Sequence, residues 1–80
     1  MRDFNDVVAH LGAQAVPGRL AALEGGRGVM RVTLRDPLTA LAPGTECVLE
    51  MHDGARFRVS VTEDLGGHAR EFRMQLLGRA

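Results

Sequence analysis

Thr45 to Thr62, TECVLEMHDGARFRVSVT, is the stretch that decides how the rest of the chain is read. Cys47, Leu49 and Met51 alternate with Glu46, Val48, Glu50 and His52; after a break, Phe57, Val59 and Val61 alternate with Arg56, Arg58, Ser60 and Thr62. Side chains on a strand point to opposite faces in turn, so a period of two marks a pair of half-buried strands. Asp53-Gly54 invites a two-residue turn, but that register sets Leu49 and Met51 opposite Arg58 and Arg56 and mixes core with solvent. A three-residue loop of His52, Asp53 and Gly54 keeps the faces sorted. Met51 then meets Ala55, Leu49 meets Phe57, Cys47 meets Val59, and Glu50 lies beside Arg56 on the other face. Gly54 takes the left-handed position that only glycine occupies at little cost.

Working outward, RGVMRVTLR (27–35) alternates Met30, Val32 and Leu34 with Val29, Arg31, Thr33 and Arg35, a strand with β-branched support. Residues 19–24, RLAALE, are read as its hairpin partner across a Gly25-Gly26 turn. Ahead of them, Asp3 followed by Phe4, Val7, Val8 and Leu11 has the three- and four-residue spacing of a capped helix, closed by Gly12, with Pro17-Gly18 as a link. Asp36-Pro37 with Leu38 and Leu41 predicts one helical turn near 37–42, ended by Pro43-Gly44, as a plug under the sheet. Glu63 to His68 is read as a loop before a last strand in which Phe72, Met74 and Leu76 face inward. The loop parity is set to bring Val61 opposite Phe72. The expected fold is therefore mainly β. It is a small antiparallel barrel or bent sheet of about five strands in one domain, residues 1–80, with a short helix over 1–12 and the β region over 18–80.

Eighty residues can bury only roughly 60% of the unfolded surface, so a fold of this size is marginal unless reinforced, for instance by oligomerisation. Ten basic and ten acidic side chains cancel, which leaves no field for collecting phosphates and argues against nucleic acid or an anionic membrane as the main partner. With three Phe and neither Trp nor Tyr, rings for stacking bases are scarce. One cysteine makes no internal disulfide, and no apolar leader follows Met1, so an intracellular, soluble product is expected.

Candidate chemistry is thin. His10, His52 and His68 fall on separate segments without metal-ligand spacing, and no cofactor is expected. Cys47, on the inward side of its strand, reads as an inert core thiol. No nucleophile, base and orienter stand at a catalytic spacing, so the chain is read as a non-enzyme with little room for a pocket of ~300 Å³ or more. Arg56, Arg58, Arg70 and Arg73 form either a basic stripe for an acidic partner or cross-strand pairs with Glu50, Glu63 and Glu71. Protein contacts remain as the mode of action. The residues assigned to docking are Phe4, Val7, Val8 and Leu11 on the helix, with Arg56 and Arg58 on the hairpin.

Two family resemblances bear on this. Arg27 and Arg31 in an R-x-x-x-R spacing before a small barrel resemble the PilZ cyclic-dinucleotide receptors, although Asp36-Pro37-Leu38-Thr39 lacks the serine and glycine of their second motif. That resemblance implies a small ligand-binding module as the alternative. From Leu34 onward, the order strand, Asp36, Leu38-x-x-Leu41, Gly44, strand, DGARFRV, EDLGG and FRMQLLGR resembles the C-terminal half of the head-to-tail joining proteins of tailed bacteriophages. So does the opening Met1-Arg2-Asp3-Phe4. Thr45 stands where that family's pattern often has aspartate. The resemblance implies a connector subunit, a homo-oligomer or part of a larger assembly, in the virion if phage-encoded and otherwise cytoplasmic. It brings no catalytic residue. An inhibitor or adaptor that caps another protein is a further possibility without a sequence signature.

Overall fold

The computed structural model describes residues 5–22 and 28–80. Six strands, β1 (Asp6–Leu11), β2 (Gln14–Ala22), β3 (Val29–Leu34), β4 (Glu46–Glu50), β5 (Arg56–Gly66) and β6 (Glu71–Arg79), close into a barrel in the order β1-β2-β3-β6-β5-β4. Every neighbouring pair is antiparallel. The inward residues fill the interior: Ala9, Val32, Leu49, Val59, Phe72 and Met74 are each 0% exposed.

The β4–β5 hairpin has the register expected from its alternation, with Leu49 opposite Phe57, Cys47 opposite Val59 and Glu50 opposite Arg56. Met51 N–H donates to the Ala55 carbonyl at 2.7 Å and Gly54 N–H to the Met51 carbonyl at 3.0 Å, closing the loop over His52, Asp53 and Gly54. Gly54 has φ +89°. The Asp53 carboxylate accepts the Ala55 N–H at 3.0 Å, and that bond lowers its pKa below 3.8.

The expected N-terminal helix is corrected. Phe4 lies outside the described residues, but Asp6–Leu11 is a strand, and it is the sixth that the sequence reading lacked. Val7, Val8 and Leu11 fit helical spacing, yet Val7, Ala9 and Leu11 fit period two equally well, and a short apolar run does not separate the two. Partners decide. An isolated helix of this length is marginal in water, whereas the strand bonds to β2 on one side and β4 on the other and closes the barrel. Gly12, expected to end a helix, instead opens a two-residue turn between Leu11 and Gln14 with φ +58°.

Pro17-Gly18 is no link but the bend of β2, which pairs with β1 along residues 14–19 and with β3 along 18–22. Gly18 is required there, because a Cβ would lie 2.5 Å from the Thr33 carbonyl oxygen. The Gly25-Gly26 turn lies outside the described residues.

At one end the barrel is sealed by residues 35–45. Leu38 and Leu41 are each 2% exposed, as a plug requires. The helical turn expected near 37–42 is a single hydrogen-bonded turn, Leu41 N–H to the Leu38 carbonyl at 3.1 Å, without helix. The segment is tied down by Leu38 N–H to the Ala69 carbonyl at 2.9 Å and Gly44 N–H to the Val61 carbonyl at 2.7 Å.

The last hairpin also differs from expectation. β5 continues through Gly66, and Val61 faces Met74 rather than Phe72. Register shifts leave Leu77 as an extra residue on β6, and Thr62 and Leu65 as extra residues on β5. Such bulges bend and twist a strand, which a tightly curved barrel needs. At one of them the Thr62 hydroxyl donates to the Arg73 carbonyl at 3.1 Å.

Candidate interaction surface

The outer wall is laced with ion pairs across strands. Arg56 reaches Glu50 at 3.2 Å, Arg73 reaches Glu63 at 3.1 Å, Arg31 reaches Glu71 at 3.0 Å, and Arg58 lies 3.8 Å from Glu46. His10 joins the first of these through Nε2 to Glu50 Oε1 at 3.0 Å. Arg70 turns its Nε–H to the Gly67 carbonyl. Of the two readings of the arginine stripe, the cross-strand pairs are what the wall displays. Each is exposed enough to contribute well under ~1 kcal/mol.

The six residues assigned to docking do not form one surface. Val7 is 2% exposed and belongs to the core, and Leu11 packs against that core from its edge. Val8 is half-buried and sits opposite Pro17 and Glu50 on the outer face. Arg56 and Arg58 are exposed on β5, each beside its glutamate. Of the R-x-x-x-R pair, Arg31 is bound to Glu71 in mid-strand and Arg27 lies outside the described residues.

Sequence reasoning placed Leu76 inward and overlooked Leu77. Leu76 is 38% exposed and Leu77 45%, the exposed large hydrophobic residues of the described chain. Leu76 still lies opposite the buried Val59, in step with Met74, whereas Leu77 is inserted between the pairs Val59–Leu76 and Arg58–Gly78, where alternation breaks. The signal was present in RMQLLGR, where two successive leucines followed by glycine interrupt the period of two.

Cys47 is 5% exposed, and burial pushes its thiol pKa up to about 11. Among the described residues no three His, Cys, Asp or Glu side chains gather as a metal site, and no helix is long and apolar enough to cross a membrane. The expectation of little pocket space needs correction. An open groove of about 640 Å³ lies across β1, β2 and β3, bordered by Asp6, Val8, Pro17, Arg19, Thr33 and Arg35. A cleft of about 430 Å³ at the barrel end opposite the plug is lined by Val7, Leu20, Met51 and Phe57, with the Arg79 guanidinium 5.8 Å from the centre of the Phe57 ring. Compared with protein-family models, curated proteins and solved structures, the chain matches none.

Proposed function

We propose that this chain is a non-catalytic structural or adaptor protein that acts through contacts with other protein chains. The observation that carries this is the pair of exposed leucines at the β6 bulge, Leu76 and Leu77, adjacent in the chain of a barrel whose described wall charges are largely paired. A bulge interrupts the alternation that would bury every second side chain, and adjacent exposed apolar residues on a small barrel gain most when a partner covers them. A filled barrel interior and zero net charge leave protein surface, rather than nucleic acid or an enclosed ligand, as the natural counterpart. In its more specific form this is a connector subunit of a tailed-phage particle, a form that rests on the sequence resemblance alone.

Sedimentation velocity of the purified chain, alone and with the products of neighbouring genes, tests the proposal. Association is expected, and Leu77→Glu is expected to abolish it while moving the melting temperature by only a few degrees. A chain that stays monomeric at millimolar concentration, captures no partner, and melts several degrees higher with a cyclic dinucleotide is a ligand-binding module instead.

A further inference from the structure

A closed barrel has no free edge in principle, but this one leaves a short one, and proline is the reason. Hydrogen-bonding direction alternates along β2. Leu20 N–H donates to the Asn5 carbonyl ahead of β1, so even-numbered residues bond on that side; the Pro17 carbonyl accepts from Arg35 N–H, so odd-numbered residues bond toward β3. Pro17 has no N–H to return, and the β2–β3 ladder stops there with Gly18 opposite Leu34. The chain then leaves for the plug, which is tied to Ala69 and Val61 beside β5 and β6, on the far side from β2. Two residues back, the N–H and C=O of Ala15 point the same way as the Pro17 carbonyl. Among the described residues neither takes part in any hydrogen bond outside the strand ladders, and β3 does not extend to meet them. Gln14 and Ala15 are exposed and carry no charge to repel an incoming strand.

Beside this edge stands an unmatched cation. The wall arginines Arg31, Arg56, Arg58 and Arg73 each have a glutamate, whereas among the described residues Arg35 has no ion pair or side-chain hydrogen bond. Arg35 borders the 640 Å³ groove, on the same outer face as Thr33, Arg19 and Pro17.

We propose that the edge of β2 at Ala15 takes an extended segment of a partner protein as an added strand, with an acidic side chain of that segment on Arg35. One residue of an extended chain satisfies both the N–H and the C=O of Ala15, and the adjoining groove accepts its outward side chain. Charge complementarity selects the occupant, because an acid supplies what Arg35 lacks, whereas a second copy of the chain brings another uncharged edge. The inference rests on the protein-contact function above but uses a different face from Leu76 and Leu77.

The test is fluorescence anisotropy with a labelled, end-capped heptapeptide of Thr and Val carrying a central Glu, compared with its central-Lys version. The Glu peptide is expected to bind at least tenfold tighter. Ala15→Pro removes an N–H that has no partner among the described residues, at an exposed edge position of the kind where strands admit proline, so it is expected to fold and to lose the peptide; Arg35→Glu is expected to fold and to reverse the preference toward Lys. Equal binding by Ala15→Pro, no charge preference, or no binding at millimolar peptide overturns the proposal. So does a dimer that Ala15→Pro dissolves, which makes a second copy the occupant. If Leu77→Glu abolishes partner association while Ala15→Pro leaves it intact, the protein-contact function stands and the β2 edge plays no part in it.

Discussion

Gly66, Gly67, His68 and Ala69 hold positive φ values in succession, +99°, +69°, +57° and +65°, and the last two are not glycine. An L-residue in left-handed backbone costs roughly 1–2 kcal/mol. What this turn holds in place is clear from its bonds: the Ala69 carbonyl accepts the Leu38 N–H of the plug, and the Arg70 carbonyl accepts the Leu34 N–H at the end of β3, at 2.7 Å. Ala69 also packs on the core, but His68 is exposed and among the described residues makes no side-chain bond. His68→Gly is therefore expected to stabilise the fold by about 0.5–1 kcal/mol, the left-handed penalty relieved less the entropy of glycine, raising the melting temperature by a few degrees. Cys47 gives a pH signature. Its thiol titrates near 11 in the folded chain against an ordinary 9.0, so the unfolded chain releases that proton first as pH rises. Its contribution is complete below pH 9 and is lost as pH climbs toward 11, a decline on the order of 2 kcal/mol. Urea melts of the native protein and Cys47→Ala across that range, with the difference taken, check the slope. The thiol should resist labelling by a disulfide reagent until the chain unfolds.

At the scale of elements, the β4–β5 hairpin was legible because two independent constraints agreed: both strands alternate, and only an odd loop keeps their apolar faces together. Gly54 then had to be left-handed, and a Cβ there meets nothing within 4 Å, so the cost of adding one is backbone alone. Gly54→Ala should lower unfolding free energy by ~1–2 kcal/mol in denaturant titration with an unchanged m-value. A neutral result would mean that the loop changes shape to admit alanine. The other elements were less legible for identifiable reasons. Asp6–Leu11 satisfies two periodicities, and only the partners β2 and β4 choose between them. The last hairpin was read as two ideal strands around a loop from Glu63 to His68, which hid Thr62 and Leu77 as inserted residues and left Leu65 in the loop rather than in β5. The Arg56–Glu50 pair was legible from the hairpin register, whereas Arg58 stands opposite Val48 and reaches Glu46 only diagonally. The edge at Ala15 was hidden because Pro17 looked like punctuation between elements, when its missing N–H ends one ladder inside an element.

For the whole molecule, closure depends on its shortest ladder. β1 and β4 pair over Val8–Glu50, Ala9–Leu49 and His10–Val48 alone, while β5 and β6 pair along almost their full lengths. Because odd-numbered residues of β4 bond to β5, as the Met51 N–H does to Ala55, the even-numbered Val48 and Glu50 face β1, and Val8 and His10 face them. Opening this seam exposes Ala9 and Leu49 to water but leaves the other five ladders intact, so it is the cheapest way to open the barrel. A side-chain clip spans it: Glu50 accepts from His10 across the seam and from Arg56 on β5, tying three strands at one carboxylate. Native-state hydrogen exchange should therefore show Val8, His10, Val48 and Glu50 exchanging by a local opening, ahead of Cys47 and Leu49 on the same strand β4. Glu50→Gln weakens the clip by ~0.5–1 kcal/mol, which speeds exchange at those four amides by about two- to fivefold. Cys47 and Leu49, protected by the β4–β5 ladder, should slow or speed only with global stability. If all six amides instead share one rate and respond together to Glu50→Gln, the barrel opens as a single unit and the β1–β4 seam has no stability of its own.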